Sequence, residues 1–216
     1  PLLSSYLAEF WQDEAGIDAN VWATAVGGTG TAARDATEAG YLKVLLNLVA
    51  AGGGDTSRLR SIQRWPAVSG QYGTNTIARR LILEFEAKIG TSPTRFLNTS
   101  TIIGGFTSGT ADIRTTNNII AFILDADDLA SLTDSAAAET LNAIAGLTLT
   151  NWNKYRIEVY AANVKFYVNE VLRQTHAANL PNISAYMQFY GVNDAGGADA
   201  LHIGKVRCWV EDEPYA

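Results

Sequence analysis

Residues 154 to 168 alternate so strictly that one arrangement suits them. Tyr155, Ile157 and Val159 alternate with Lys154, Arg156 and Glu158, and Val164, Phe166 and Val168 alternate with Lys165 and Tyr167. A period of two marks a strand buried on one side. With Val159 opposite Val164, the pairs Ile157/Phe166 and Tyr155/Val168 fall on one apolar face. The same register puts Glu158 across from Lys165, and the Arg156 cation across from the Tyr167 ring. A slip of one residue would turn every apolar side chain to water, so the pattern predicts an antiparallel hairpin in this register. Ala161-Ala162 offers neither Gly nor Asn for a two-residue turn at positive φ, so a wider loop from Tyr160 to Asn163 is expected.

The same signal recurs along the chain. Leu81, Leu83, Phe85, Ala87 and Ile89 alternate with Arg80, Glu84, Glu86 and Lys88, and Ile82 is the exception. Further strands are expected at 21–25, 41–49, 58–65, 101–106, 118–125, 171–176, 184–192 and 201–210, with glycine-rich turns at 27–30, 52–55 and 193–197. Residues 127–144 depart from this. The run is Ala-rich, with Leu129, Leu132, Leu141 and Ile144 near helical spacing, so a short helix or ordered loop is expected there. No Pro-rich or charged linker divides residues 1–216, which read as a single antiparallel β-sandwich domain.

Composition narrows the partners. Sixteen Lys+Arg against 22 Asp+Glu give a net charge of −6, so there is no basic surplus for nucleic acid. One Cys and two His leave no disulfide framework and little for a zinc site. No run approaches the roughly 20 apolar residues of a membrane span. Pro1 with no basic segment before an apolar core argues against a signal peptide, and suggests a native cytosolic start.

The segments Asn151-Trp152-Asn153-Lys154-Tyr155-Arg156-Ile157-Glu158-Val159 and Val164-Lys165-Phe166-Tyr167-Val168-Asn169-Glu170 resemble a strand pair of the concanavalin A-like lectin/glucanase superfamily. Leu201-His202-Ile203-Gly204-Lys205-Val206-Arg207-Cys208-Trp209 resembles its closing strand. Leu81–Lys88 and the pair Gly105-Phe106 resemble upstream members of the same order. The resemblance covers residues 80–210 and departs from the pattern where Asn169-Glu170 replaces an Asp-Gly turn. It implies a jelly-roll of two antiparallel sheets, and speaks to fold rather than to activity.

Candidate chemistry is sparse. Glu84 and Glu86 share a strand face, but that face also carries Arg80 and Lys88, which suits a solvated surface more than a glycosidase pair. Asp125, Asp127 and Asp128 group after a strand as hard-oxygen calcium ligands would, and Asp127 and Asp128 equally suit the start of a helix. His176 and His202 lie outside any metal or triad spacing, and Cys208 faces the core by parity. Aromatic rings bind sugars when exposed, and Trp65, Tyr72, Tyr160, Tyr167, Tyr186 and Tyr190 are the candidates.

Without a catalytic motif, a metal or cofactor, the expectation is a non-enzymatic protein. Jelly-roll domains of this kind recur in the virions of tailed bacteriophages. The resemblance therefore implies a capsid decoration or fibre domain, made in the host cytoplasm and docked on a capsid or tail. The alternative is a lectin-like module that binds host-surface glycan. Leu2, Leu3, Tyr6, Leu7 and Phe10 give residues 1–10 an apolar character and a helical spacing. They form either an arm that joins a dimer or trimer, or a segment folded back on its own sandwich.

Overall fold

The computed structural model describes residues 6–9, 17, 19–35, 43–48, 54–65, 79–97, 100–109, 118–135, 138–181, 184–194 and 197–212. These form fifteen strands: β1 (Tyr6–Glu9), β2 (Trp22–Gly27), β3 (Thr31–Asp35), β4 (Lys43–Leu48), β5 (Thr56–Trp65), β6 (Arg79–Ile89), β7 (Ile102–Thr107), β8 (Ile119–Asp125), β9 (Asp128–Asp134), β10 (Glu139–Ile144), β11 (Asn153–Val159), β12 (Val164–Val168), β13 (Val171–His176), β14 (Ala185–Val192) and β15 (Asp199–Asp212). All pairings are antiparallel. Eight strands make one sheet in the order β13-β12-β11-β6-β15-β4-β3, with β1 also on β15. Seven make the other, in the order β10-β9-β8-β7-β14-β5-β2. Among the described residues, no helix is long and apolar enough to cross a membrane.

The alternating segments become strands in the expected register. Val159 pairs with Val164, Ile157 with Phe166 and Tyr155 with Val168, and Phe166 is fully buried. The loop spans Tyr160 to Asn163 and is closed by the Tyr160 N–H donating to the Asn163 carbonyl at 2.8 Å. One detail differs. Glu158 stands opposite Lys165, yet its carboxylate lies 3.2 Å from Arg156 Nε, while the Lys165 ammonium sits 4.8 Å from the Tyr160 ring centroid.

The short helix or ordered loop expected over 127–144 is instead the hairpin β9–β10. Leu129 pairs with Ile144 and Leu132 with Leu141, so the apparent helical spacing comes from cross-strand partners. Asp127, expected at a helix start, sits in a two-residue turn at φ 68°, with Ala126 at φ 48°. Both values are those of a type I′ hairpin turn, whose twist matches the flanking strands. Asn169-Glu170 makes the same turn between β12 and β13 at φ 51° and 65°, without the usual glycine.

Tyr6 and Leu7 lie in β1, which runs along β15 of the same chain with Tyr6 opposite Trp209. A strand with its own partner is the folded-back reading, and the amphipathic helix is not seen there. Leu2, Leu3 and Phe10 lie outside the described residues.

Between the sheets, Phe85 stacks on Tyr155 with centroids 5.1 Å apart and meets Phe189 edge-on at 5.2 Å. Gly104 sits against this cluster, where a Cβ would collide with the Phe85 and Phe189 rings. Only a glycine lets β7 pass there. Cys208 is buried as its parity predicts, and desolvation pushes its thiol well above the usual range.

Candidate functional site

The seven-stranded sheet turns two chemistries outward. On β7, β8 and β9, the face away from the sandwich core carries a second apolar cluster: Ile102, Ile119, Ala121, Ile123, Ala130 and Leu132, all buried. Tyr190 packs against its border, half-buried. Beyond that border, on β14 and β5, the same face becomes aromatic and cationic. Alternation along β14 places Tyr186, Gln188 and Tyr190 outward, while Met187 and Phe189 enter the core. Along β5 it places Arg58, Arg60 and Arg64 outward, while Leu59 and Trp65 enter the core.

A bulge draws these groups together. Tyr186 pairs with Arg64 but Gln188 pairs with Arg60, so three residues of β5 oppose Met187 alone. The Met187 N–H donates to Ser61 Oγ at 3.0 Å, in place of a ladder carbonyl. The guanidinium carbons of Arg60 and Arg64 thereby come within 4.3 and 4.6 Å of the Tyr186 ring centroid. Hydrogen bonding from Arg64 holds the Tyr186 phenol below its usual pKa. Arg58, opposite Tyr190, is lowered by burial and then by the neighbouring Arg60 charge. Beneath them Gln188 is almost fully buried. Its Oε1 accepts from Thr107 Oγ1 at 3.3 Å, but its Nε2 has no hydrogen-bond partner, and neither has Arg60 Nη1.

The remaining sequence candidates sit elsewhere. Trp65 is 5% exposed in the core, so its ring is not presented to a ligand, and Tyr72 lies outside the described residues. Tyr160 and Tyr167 belong to the outward face of the other sheet, both donating to Glu158 Oε2, at 2.6 and 3.3 Å. On that face Arg80 binds Glu211 Oε2 through Nε at 2.9 Å and Nη2 at 2.6 Å, and Lys154 reaches Glu170 at 2.6 Å and Glu84 at 3.3 Å. Glu84 is therefore an ion-paired surface carboxylate. Asp125, Asp127 and Asp128 line the β8–β9 turn. Among the described residues no three His, Cys, Asp or Glu side chains are grouped to hold a metal ion.

His176 joins the two sheets along one side. Its Nε2 lies 3.0 Å from both Ser131 Oγ and Asn142 Nδ2, and its Nδ1 lies 3.0 Å from Thr133 Oγ1. Because the Asn142 amide nitrogen only donates, Nε2 accepts and Nδ1 carries the proton, which it gives to Thr133 Oγ1. Desolvation lowers this histidine to about 4. A second proton on Nε2 would also face the Asn142 donor.

The sequence points to Tyr186 and Tyr190 but not to Arg58, Arg60, Arg64 or Gln188. The arginines' i, i+2, i+6 spacing on a strand was the available signal, because it puts three cations on one face of an acidic chain.

No protein-family model and no curated protein sequence matches this chain. Solved structures do. A Bacillus licheniformis β-glucanase superposes with TM-score 0.60 at 14% identity, covering 94% of this chain and 97% of that one. The carbohydrate recognition domain of Emp46p gives 0.58 at 9%, covering 90% and 89%. Alginate lyase AlyC3 in complex with dimannuronate gives 0.55 at 9%, covering 80% and 76%. The fold is the concanavalin A-like jelly-roll. At such identities the likeness carries the fold alone. Several neighbours with this jelly-roll are themselves carbohydrate-active or carbohydrate-binding.

Proposed function

We propose that this chain is a non-enzymatic, lectin-like carbohydrate-binding module whose ligand lies along the outward face of β5 and β14. The observation that carries this is the strip Tyr186, Gln188 and Tyr190, three side chains on one face over about 13 Å of strand. Rings for C–H packing alternate there with a hydrogen-bonding amide, which is what a sugar with apolar faces and polar edges requires. The β-glucanase, the Emp46p domain and the alginate lyase support the reading by analogy of fold. Binding without catalysis is supported by the separation of charges. The Glu84 carboxylate, the glycosidase candidate of the sequence, is paired with Lys154 on the outward face of the other sheet, away from β5 and β14. Docking on a capsid or tail, and assembly as a dimer or trimer, draw on no described contact and are left as expectations from the sequence.

The test is a glycan array probed with the purified protein. Binding to a defined glycan class is expected, with a loss of about tenfold in affinity on Tyr186→Ala while circular dichroism is unchanged. Absence of any glycan binding, or binding indifferent to Tyr186, overturns the reading.

A further inference from the structure

The β5–β14 strip is rich in donors and poor in acceptors. Among the described residues no carboxylate pairs with Arg58, Arg60 or Arg64. Gln188 already uses its Oε1 on Thr107, and the Tyr186 hydroxyl is engaged by Arg64. Apart from the Tyr190 hydroxyl beside Arg58, the strip offers guanidinium N–H groups and the Gln188 Nε2, and two of these nitrogens, Arg60 Nη1 and Gln188 Nε2, are buried with no partner. Buried donors without acceptors are costly and uncommon in folded proteins. Holding Arg58 beside Arg60 adds like-charge repulsion. A neutral sugar hydroxyl brings a donor with every acceptor, whereas a carboxylate brings acceptors only, in the planar geometry that a guanidinium fork matches.

We infer that the strip recognises an acidic polysaccharide, with carboxylates of neighbouring sugar units received by Arg58, Arg60 and Arg64 and a sugar ring seated on Tyr186. This rests on the carbohydrate-binding reading and adds the charge of the ligand. A sulfated glycan shares the anionic chemistry but offers tetrahedral oxygens. A nucleic acid would bring a far denser charge to a chain of net −6, with three cations to meet it.

The experiment is affinity electrophoresis of the whole chain through gels containing polygalacturonate, fully methyl-esterified polygalacturonate, dextran sulfate, a neutral β-glucan or poly-dT. Polygalacturonate is expected to retard the protein most, and esterification to weaken binding by about tenfold. Arg60→Ala and Arg58→Ala are each expected to weaken it by about fivefold or more, more steeply at low salt, with Arg60→Lys intermediate because it keeps the charge and loses the fork. Thermal melts of each variant establish that it is folded. Equal retardation by the esterified polymer or by the neutral glucan overturns the acidic assignment while leaving carbohydrate binding intact. Stronger binding of dextran sulfate moves the ligand to sulfated glycans and overturns the carboxylate. Stronger binding of poly-dT, or no retardation in any sugar gel, overturns the underlying reading as well.

Discussion

On the outward face of the eight-stranded sheet, Arg80, Lys154 and Arg156 each lie within 3.7 Å of a carboxylate. On the outward face of the seven-stranded sheet, Arg58, Arg60 and Arg64 meet no carboxylate among the described residues, and two of them gather on a tyrosine ring instead. The same residue type does two jobs. Where a cation is matched by Glu158 or Glu211, its charge is absorbed by the fold. Where it stands beside other cations, the fold carries the repulsion and the charge stays available. Residues of the first kind should matter for stability and those of the second for binding.

The largest effect is expected at Glu158. Its buried carboxylate takes two tyrosine hydroxyls and two guanidinium groups, so Glu158→Ala leaves all four facing an empty site. A loss of about 3 kcal/mol in urea unfolding is expected, discounted for the partly exposed arginines, with glycan affinity untouched. A loss below about 0.5 kcal/mol would make that network ornamental.

The seam between the faces answers to pH. His176 is neutral in the fold, with its pKa lowered from 6.5 to about 4. The unfolded chain then binds the extra proton first, so stability is complete above about pH 6.5 and is lost as the pH falls towards 4. About 2–3 kcal/mol of that fall should belong to this residue. In His176→Gln the slope between pH 6.5 and 4 should be shallower than in the wild type, and identical slopes would refute the assignment.

Two turns of the same type offer a finer contrast. Ala126 sits at φ 48° and Glu170 at φ 65°, in positions that glycine tolerates better. Ala126→Gly should stabilise by about 0.5–1 kcal/mol. Glu170→Gly should gain less, because it forfeits contacts with Lys154 and Arg156, and a larger gain there would show those surface pairs to be idle.

Smallest of all should be the effect of Arg58→Ala on stability, within about 0.5 kcal/mol of zero, since relief of repulsion from Arg60 offsets lost packing. A clear destabilisation would put Arg58 among the structural charges.

Much of the fold was legible because both faces of a strand constrain it. The 154–168 hairpin has one register in which its apolar and polar sides agree, and the structure has that register. The 127–144 run misled because a three-residue separation that places two leucines on one side of a helix places them on opposite sides of a strand. Leu129 faces the main core and Leu132 the outer cluster. The candidate site was legible in half. Parity picks out Tyr186 and Tyr190, but the convergence of Arg60 and Arg64 depends on a bulge, and a bulge leaves no mark in residue types. Trp65 misled for the opposite reason, since its size suits a platform and a core equally.

The position of β15 has a consequence for the order of events during synthesis. Residues 199–212 lie against β6 on one side, and on the other against β4 and then β1. The middle of the larger sheet is therefore supplied after every other described strand has been made. Until it emerges, β6 with its hairpin neighbours and the β3–β4 pair are separate fragments with open edges, and each needs to be kept from pairing with the wrong partner. Rapid closure by this strand would then bring both halves into register in one step.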